Sequence, residues 1–149
     1  MRVVLQRVKY ASCSVDGNIT GKCEKGYMLL VGFKDGDDDA MIEKIAKKVV
    51  DLRIFEDEND KLNLSIKDVD GSILSISQFT LYASCKKGRR PSFTNAMNPE
   101  QASKMYDKFN DELRKLEMHV EEGIFGADMK IELLNDGPVT IILDSEELM

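Results

Sequence analysis

The sequence predicts an α+β domain: a mostly antiparallel sheet curled toward a barrel and covered by two helices. Three observations predict it. Six to eight apolar stretches of strand length recur along the chain, separated by turn residues. Only two stretches, about 38–51 and about 99–116, repeat apolar residues at helical spacing. The strands and helices come as a run of neighbours with no repeat, linker or low-complexity segment between them, so 1–149 reads as one domain with its own core.

Taken in order, residues 2–9 set Val3 and Leu5 against Arg2, Val4 and Gln6, the alternation of a strand. Tyr10 to Val15 continues it, and Asp16-Gly17-Asn18 is a hairpin turn into a second strand through Ile19, Thr20 and Cys23. Lys25-Gly26 turns the chain into Tyr27-Met28-Leu29-Leu30-Val31-Gly32-Phe33, a continuous apolar run that suits a central strand. Asp35 to Asp39 supplies caps and first-turn negative charge for a helix over 38–51, whose apolar face is Met41, Ile42, Ile45, Ala46, Val49 and Val50. Arg53-Ile54-Phe55 and Asn63–Ile66 read as short strands around a charged turn. Asn98-Pro99-Glu100-Gln101 is a helix start, with a capping amide, proline at the first helical position and glutamine three residues after the cap. The helix it opens, over 99–116, presents Ala102, Met105, Tyr106, Phe109, Leu113 and Leu116. Met118 to Glu121 is extended. Met129, Ile131 and Leu133 alternate with Lys130 and Glu132; Asn135-Asp136-Gly137-Pro138 breaks that strand, and Val139–Leu143 forms a last one.

Bulk properties exclude several classes. Hydrophobic residues at 42% and charged residues at 32% are ordinary for a globular protein. The longest apolar run falls short of a membrane span, and the alternating N-terminus lacks signal-peptide anatomy, so a cytoplasmic location and no membrane partner are expected. Cys13, Cys23 and Cys85 are odd in number and lack metal-like spacing, so they read as reduced thiols. One histidine, His119, makes a metal site unexpected, and no cofactor motif is present. A net charge of −6 argues against general coating of RNA or DNA. It leaves room for a local basic patch at Lys86, Lys87, Arg89 and Arg90, which reads either as a solvated loop or as a phosphate contact.

Chemistry concentrates at Gly71–Ala83. Ile73, Leu74 and Ile76 mark a buried strand, which then delivers Ser77, Gln78, Phe79 and Thr80 in succession. A buried hydroxyl without a partner costs about 1–3 kcal/mol. Two readings fit: hydroxyls bonded to a neighbouring strand's backbone, or a strand end that offers polar groups to a ligand. A hydrolase triad would need a base, and His119 is remote in sequence from these residues. The second informative word is Asn135-Asp136-Gly137-Pro138-Val139-Thr140, read either as a plain hairpin turn or as a tight site geometry built on a cis proline bond.

Ser77-Gln78-Phe79-Thr80-Leu81 and Asn135-Asp136-Gly137-Pro138-Val139-Thr140 together resemble the two signature motifs of the D-aminoacyl-tRNA deacylases of the bacterial and eukaryotic type. Met1–Val8, Gly88–Phe93 and Glu122–Met129 resemble the same family, so the likeness runs along essentially the whole chain. The resemblance implies an editing hydrolase that cleaves D-aminoacyl-tRNA, and Gly-tRNA mischarged on tRNA(Ala), while sparing L-aminoacyl-tRNA. It implies a homodimer with tRNA as its partner and no DNA. The Gly137-Pro138 unit, in the cis form, would enter the pocket of the other subunit. Ser77, Gln78, Phe79 and Thr80 would carry the catalytic positions, with Phe125 and Met129 in the pocket wall. Lys86, Lys87, Arg89 and Arg90 would meet tRNA. Lacking an acid–base side chain, such a site would rely on the substrate's own 2′-OH. The alternatives are Thr80 as a covalent nucleophile of an esterase, and a non-catalytic nucleic-acid-binding dimer.

Overall fold

The computed structural model describes residues 1–148. Strands β1 (Arg2–Val15) and β2 (Asn18–Cys23) form a hairpin through Asp16 and Gly17, both at positive φ. Strand β3 (Gly26–Gly32) returns antiparallel to β1, with Val3 opposite Val31 and Leu5 opposite Leu29. Helix α1 (Asp39–Asp51) and a small ribbon of β4 (Phe55–Glu56) and β5 (Leu62–Leu64) then lead to β6 (Ser72–Ser77). A 3₁₀ turn (Phe79–Tyr82), helix α2 (Pro99–Lys115) and β7 (Val120–Glu122) follow. The chain ends in β8 (Lys130–Asp144) and a one-turn helix α3 (Ser145–Leu148).

Among the described residues six strands make one sheet, in the order β2-β1-β3-β6-β7, with β8 on the other side of β1. The barrel-like curl follows from β1, which is long enough to pair with β3 along its first half and with β2 along its second. The far strand β7 comes back beside β2. Lys22 N–H donates to Glu121 Oε1 at 2.9 Å. Gly21 makes this approach possible, since a Cβ there would lie 2.5 Å from the Glu122 carbonyl oxygen.

The expected α+β class holds, with one refinement. Strands β3, β6 and β7 run parallel, because α1 and α2 are crossovers that return the chain in its original direction. Both helices begin as their caps predict. Asp38 Oδ1 accepts from Met41 N–H at 3.0 Å, and Asn98 Oδ1 accepts from Glu100 N–H at 2.9 Å. The short strands around residues 53–66 fall a residue or two from their expected places.

Two apolar clusters sandwich the sheet. Tyr27, Leu29, Val31 and Ile73 face Ile42, Ile45, Val49, Tyr106 and Phe109 of the helices. Met28, Leu74 and Ile76 face the opposite way, toward Val8, Cys13 and the inner side of β8. Burial on both faces is why β3 reads as an unbroken apolar run rather than an alternation. Each large side chain buried this way stabilises the fold by about 1.5–3 kcal/mol. Cys13 and Cys23 are core residues, and desolvation pushes the Cys23 thiol up to about 11. No helix of the described residues is long and apolar enough to cross a membrane.

Gly26 sits where β3 and β6 begin to pair, at φ +155°, and a Cβ there would lie 1.8 Å from the Ser72 carbonyl oxygen. Gly26→Ala is therefore expected to destabilise the fold by about 3 kcal/mol. Calorimetry should show Tm lowered by roughly 6 °C or more; an unchanged Tm would mean that the two strands separate there without cost.

Candidate active site

The Ser77–Thr80 stretch is not a single strand end. Strand β6 stops at Ser77, Gln78 steps out of the sheet, and Phe79–Tyr82 coils into a 3₁₀ turn. The sheet keeps hold of this corner, as Gln78 N–H donates to the Val31 carbonyl at 2.8 Å. Arg2 pins the far side, with Nη1 donating to the Leu81 carbonyl at 2.6 Å. At the start of such a turn the first N–H groups have no acceptor inside it. Among the described residues, those of Phe79 and Thr80 donate to no backbone carbonyl.

Above this corner opens a cavity of about 530 Å³, within the range of about 300–1,000 Å³ usual for small-molecule sites. Ile76, Ser77, Gln78 and Phe79 form one side. A second side comes from Ala96–Pro99 and Ala102 at the start of α2, and a third from Phe125–Met129 with Ile131 of β8. The cavity thus brings together Ser77, Gln78, Phe79, Phe125 and Met129 of the residues expected from the sequence. Thr80 is exposed outside its lining, and its Oγ1 accepts a hydrogen bond from Gln78 Nε2. Asp128, the one carboxylate among the described residues of the lining, is paired with Lys130. His119 is exposed, lies outside the lining, and is bound to Glu121 at 3.0 Å.

Behind the cavity, Tyr106 of α2 donates its hydroxyl to the Ser75 carbonyl at 2.6 Å. Desolvation pushes this phenol up to about 12, so it remains a donor at neutral pH. The same carbonyl accepts from Gly123 N–H at 3.3 Å. The Tyr106 ring also packs against Phe125, with centroids 6.2 Å apart. One side chain thereby sets both β6 and the loop that carries Phe125 and Met129.

The expected break at Asn135–Pro138 is a correction. Strand β8 does not end there; both its halves pair with β1, with Asn135 opposite Val8 and Thr140 opposite Gln6. Residues 136–139 bulge out opposite the single residue Arg7. Gly137 has φ +137° and would bring a Cβ within 2.8 Å of Val139 Cγ2, so the position requires glycine. The Gly137–Pro138 bond is cis. Asn135 and Thr140 close the base of the bulge. Asn135 Oδ1 accepts from Val139 N–H at 2.8 Å, and its Nδ2 donates to Thr140 Oγ1 at 3.0 Å. Gly137 and Pro138 are exposed and take no part in the cavity of their own chain.

Arg7 supports this bulge from beneath. It is 3% exposed, its Nε donates to the Asp136 carbonyl at 2.9 Å, and its Nη1 donates to the Ile54 carbonyl at 2.7 Å. Glu56 lies 3.3 Å from Nη2. A signal for it existed in the sequence: Arg7 shares the inward phase of Val3 and Leu5, where a charge needs a buried partner. Phe93, Met97 and Ala102 carried no comparable signal, since only the fold brings them to the cavity.

The basic stretch forms the tip of a small hairpin. Ser84 and Ser92 exchange backbone hydrogen bonds of 2.7 and 2.8 Å, and Lys86, Lys87, Arg89 and Arg90 stand exposed beyond them.

Comparisons with known proteins agree along the chain. Residues 4–144 match the family described as D-Tyr-tRNA(Tyr) deacylase. A D-aminoacyl-tRNA deacylase of Lactobacillus gasseri is 54% identical over 144 residues, which cover 97% of this chain and 99% of that protein. One of Bacillus cytotoxicus is 57% identical over 146 residues, covering 98% and 100%. A solved structure described as c-Myc DNA unwinding element binding protein superposes with a TM-score of 0.90 at 40% identity, covering 97% of this chain and 98% of its own. Another, described as a probable eukaryotic D-amino acid tRNA deacylase, gives 0.83 at 18% identity, covering 95% and 97%, a likeness of fold.

Replacing Arg7 by methionine would keep the apolar stem and strip the buried Ile54 carbonyl and the half-buried Asp136 carbonyl of their donor. The expected cost is about 3 kcal/mol. Hydrogen exchange at Val139 should also accelerate more than in a Gly26→Ala protein of similar Tm. Equal protection of Val139 in the two variants would mean that Arg7 does not hold the bulge.

Proposed function

The chain belongs to the D-aminoacyl-tRNA deacylase family, and from that premise we propose that it hydrolyses the ester between a D-amino acid and the terminal ribose of tRNA. Free amino acid and intact tRNA are the products. The observation that carries the proposal is the corner after β6. It lines a cavity of about 530 Å³, leaves the Phe79 and Thr80 N–H groups without backbone acceptors, and has no histidine beside it.

In this reading Ser77, Gln78, Phe79 and Thr80 act through main-chain placement. A water oxygen attacks the ester carbonyl carbon. The negative charge that develops on the carbonyl oxygen is met by the N–H groups of Phe79 and Thr80, an arrangement worth orders of magnitude in rate when preorganised. The C–O bond to the ribose then breaks, and the departing ribose oxygen takes up a proton. The neighbouring 2′-OH orients the water and relays that proton, work that a protein base does elsewhere. Thr80 is a poor nucleophile here, because its oxygen is engaged by the Gln78 amide and no base adjoins it.

Phe125 and Met129 hold the substrate in the cavity. Gly137 and Pro138 are assigned to the cavity of a second copy, where their rigid main chain would hold the α-amino group and leave no room for an L side chain. Exposed Ile142 on β8, paired with half-buried Val4 of β1 on the side turned away from the helices, supports a homodimer through this face. Lys86, Lys87, Arg89 and Arg90 would lie along phosphates of the acceptor stem and of the unpaired 3′ end that extends it. Such an enzyme would act where aminoacyl-tRNA is made and used, in the cytoplasm, without membrane or DNA. A non-catalytic nucleic-acid-binding dimer is the second reading, favoured by the 40% identity to the DNA unwinding element binding protein. D-Tyr-tRNA against L-Tyr-tRNA separates the two, since only the deacylase releases D-tyrosine.

Two experiments test the chemistry and the selection. On tRNA ending in 2′-deoxyadenosine, hydrolysis should fall at least about 100-fold, whereas Thr80→Ala on normal substrate should stay within about fivefold, the hydroxyl lying outside the proton relay. Full activity on the deoxy substrate together with loss in Thr80→Ala would overturn the mechanism. Steric exclusion of L side chains also implies that glycine passes, so Gly-tRNA, including Gly-tRNA(Ala), should be cleaved while L-Ala-tRNA is spared. Resistance of Gly-tRNA would refute exclusion as the basis of selection.

A further inference from the structure

Two phenylalanines remain exposed at the mouth of the cavity. Phe79 is 53% and Phe93 41% exposed, both border the opening, and their rings meet edge to face with centroids 5.2 Å apart. The pair leaves aromatic surface turned to solvent at the cavity mouth. Immediately beyond, across the Ser84–Ser92 bridge, lies a groove of about 280 Å³ lined by Ser84, Lys86, Lys87, Ser92, Thr94 and Asn95. Lys86 and Lys87 enter no ion pair among the described residues. Side by side the surface therefore offers an apolar cavity, an aromatic platform and a cationic, hydroxyl-bearing groove. On a chain of net charge −6 this tip is a local positive field.

We propose that Phe93, braced by Phe79, is a stacking subsite for the unpaired base that precedes the terminal adenosine, with the phosphate on that base's 5′ side held by Lys86, Lys87 and Ser92. The inference rests on the deacylase reading and extends it from the aminoacyl adenosine to the single-stranded 3′ end. Single strands are recognised in this way, through bases laid on aromatic faces and phosphates in a basic groove. Every tRNA ends in the same unpaired CCA, so a stack on its middle nucleotide adds affinity without choosing among tRNAs. That suits an enzyme whose selection falls on the amino acid. The platform also fixes the direction of approach: the strand leaves the cavity over Phe93 and runs toward Arg89 and Arg90 at the hairpin tip.

The test compares D-tyrosine esterified to adenosine, to CpCpA, to CpCpA abasic at the middle nucleotide, and to full tRNA. For the unaltered protein KM should fall about tenfold from adenosine to CpCpA. Phe93→Leu should lose most of that gain on CpCpA yet bind the abasic substrate as the unaltered protein does, and Phe93→Trp should restore it. If Phe93→Leu raises KM by the same factor on all substrates, or if CpCpA gives no gain over adenosine, the subsite is overturned while the deacylase reading stands. If even full D-Tyr-tRNA is not hydrolysed, the deacylase reading fails and the subsite with it.

Discussion

Strand β6 is hydrogen-bonded along both edges, to β3 and to β7, and packed on both faces, by the helices on one side and by the inner side of β8 on the other. A strand held on four sides cannot shift register without moving its neighbours. The corner that follows it, from Ser77 to Thr80, inherits that rigidity. The cavity opens at the carboxyl end of parallel strands, where main-chain groups run out of sheet partners and become available to a ligand. Tyr106 couples this corner to the opposite wall through the Ser75 carbonyl and the Phe125 ring. The cavity thus has a fixed floor and a fixed side wall before any substrate arrives.

The second feature obeys the same logic with different means. Where β8 pairs with β1, a bulge is tolerated because β8 is the sheet's edge and has no further neighbour to disrupt. Arg7 fills the gap that the bulge leaves beneath it. A guanidinium suits this place because its planar fork donates in several directions at once, to Asp136, Ile54 and Glu56. The result is an exposed Gly137–Pro138 main chain whose base is tied by Asn135 and Thr140. Rigid main chain on an exposed edge is a natural means of reading shape in a second molecule.

Charge is distributed to match. The surface is acidic as a whole, and the cations of one short hairpin stand apart from it beside the cavity mouth. In the proposed function, affinity for RNA would be confined to the place where it orients a 3′ end, since the acidic remainder of the surface would repel nucleic acid. A site working as proposed, by main-chain donors and a hydroxyl of the substrate, would need no titrating histidine. That is consistent with His119 lying elsewhere, bound to Glu121 at the surface.

Much of this was legible in the residues. Hydrophobic period, the Asp38 and Asn98 caps and the Asp16-Gly17 turn determined which segments became strands and helices, because those choices depend on neighbours a few residues away. The two signature words determined the family. Other features were invisible until the chain closed on itself. The parallel run of β3, β6 and β7 follows from where the crossovers pack. The uninterrupted course of β8 through Gly137-Pro138 depends on β1 continuing beside it, so a local break looked like the end of a strand. The assembly of Phe93, Ala102 and Phe125 around Ser77 joins residues dozens of positions apart. Sequence alone settled what most segments would be, through local sterics and burial; tertiary structure alone decided which segments meet, because contacts between distant residues are fixed only when the whole core packs at once.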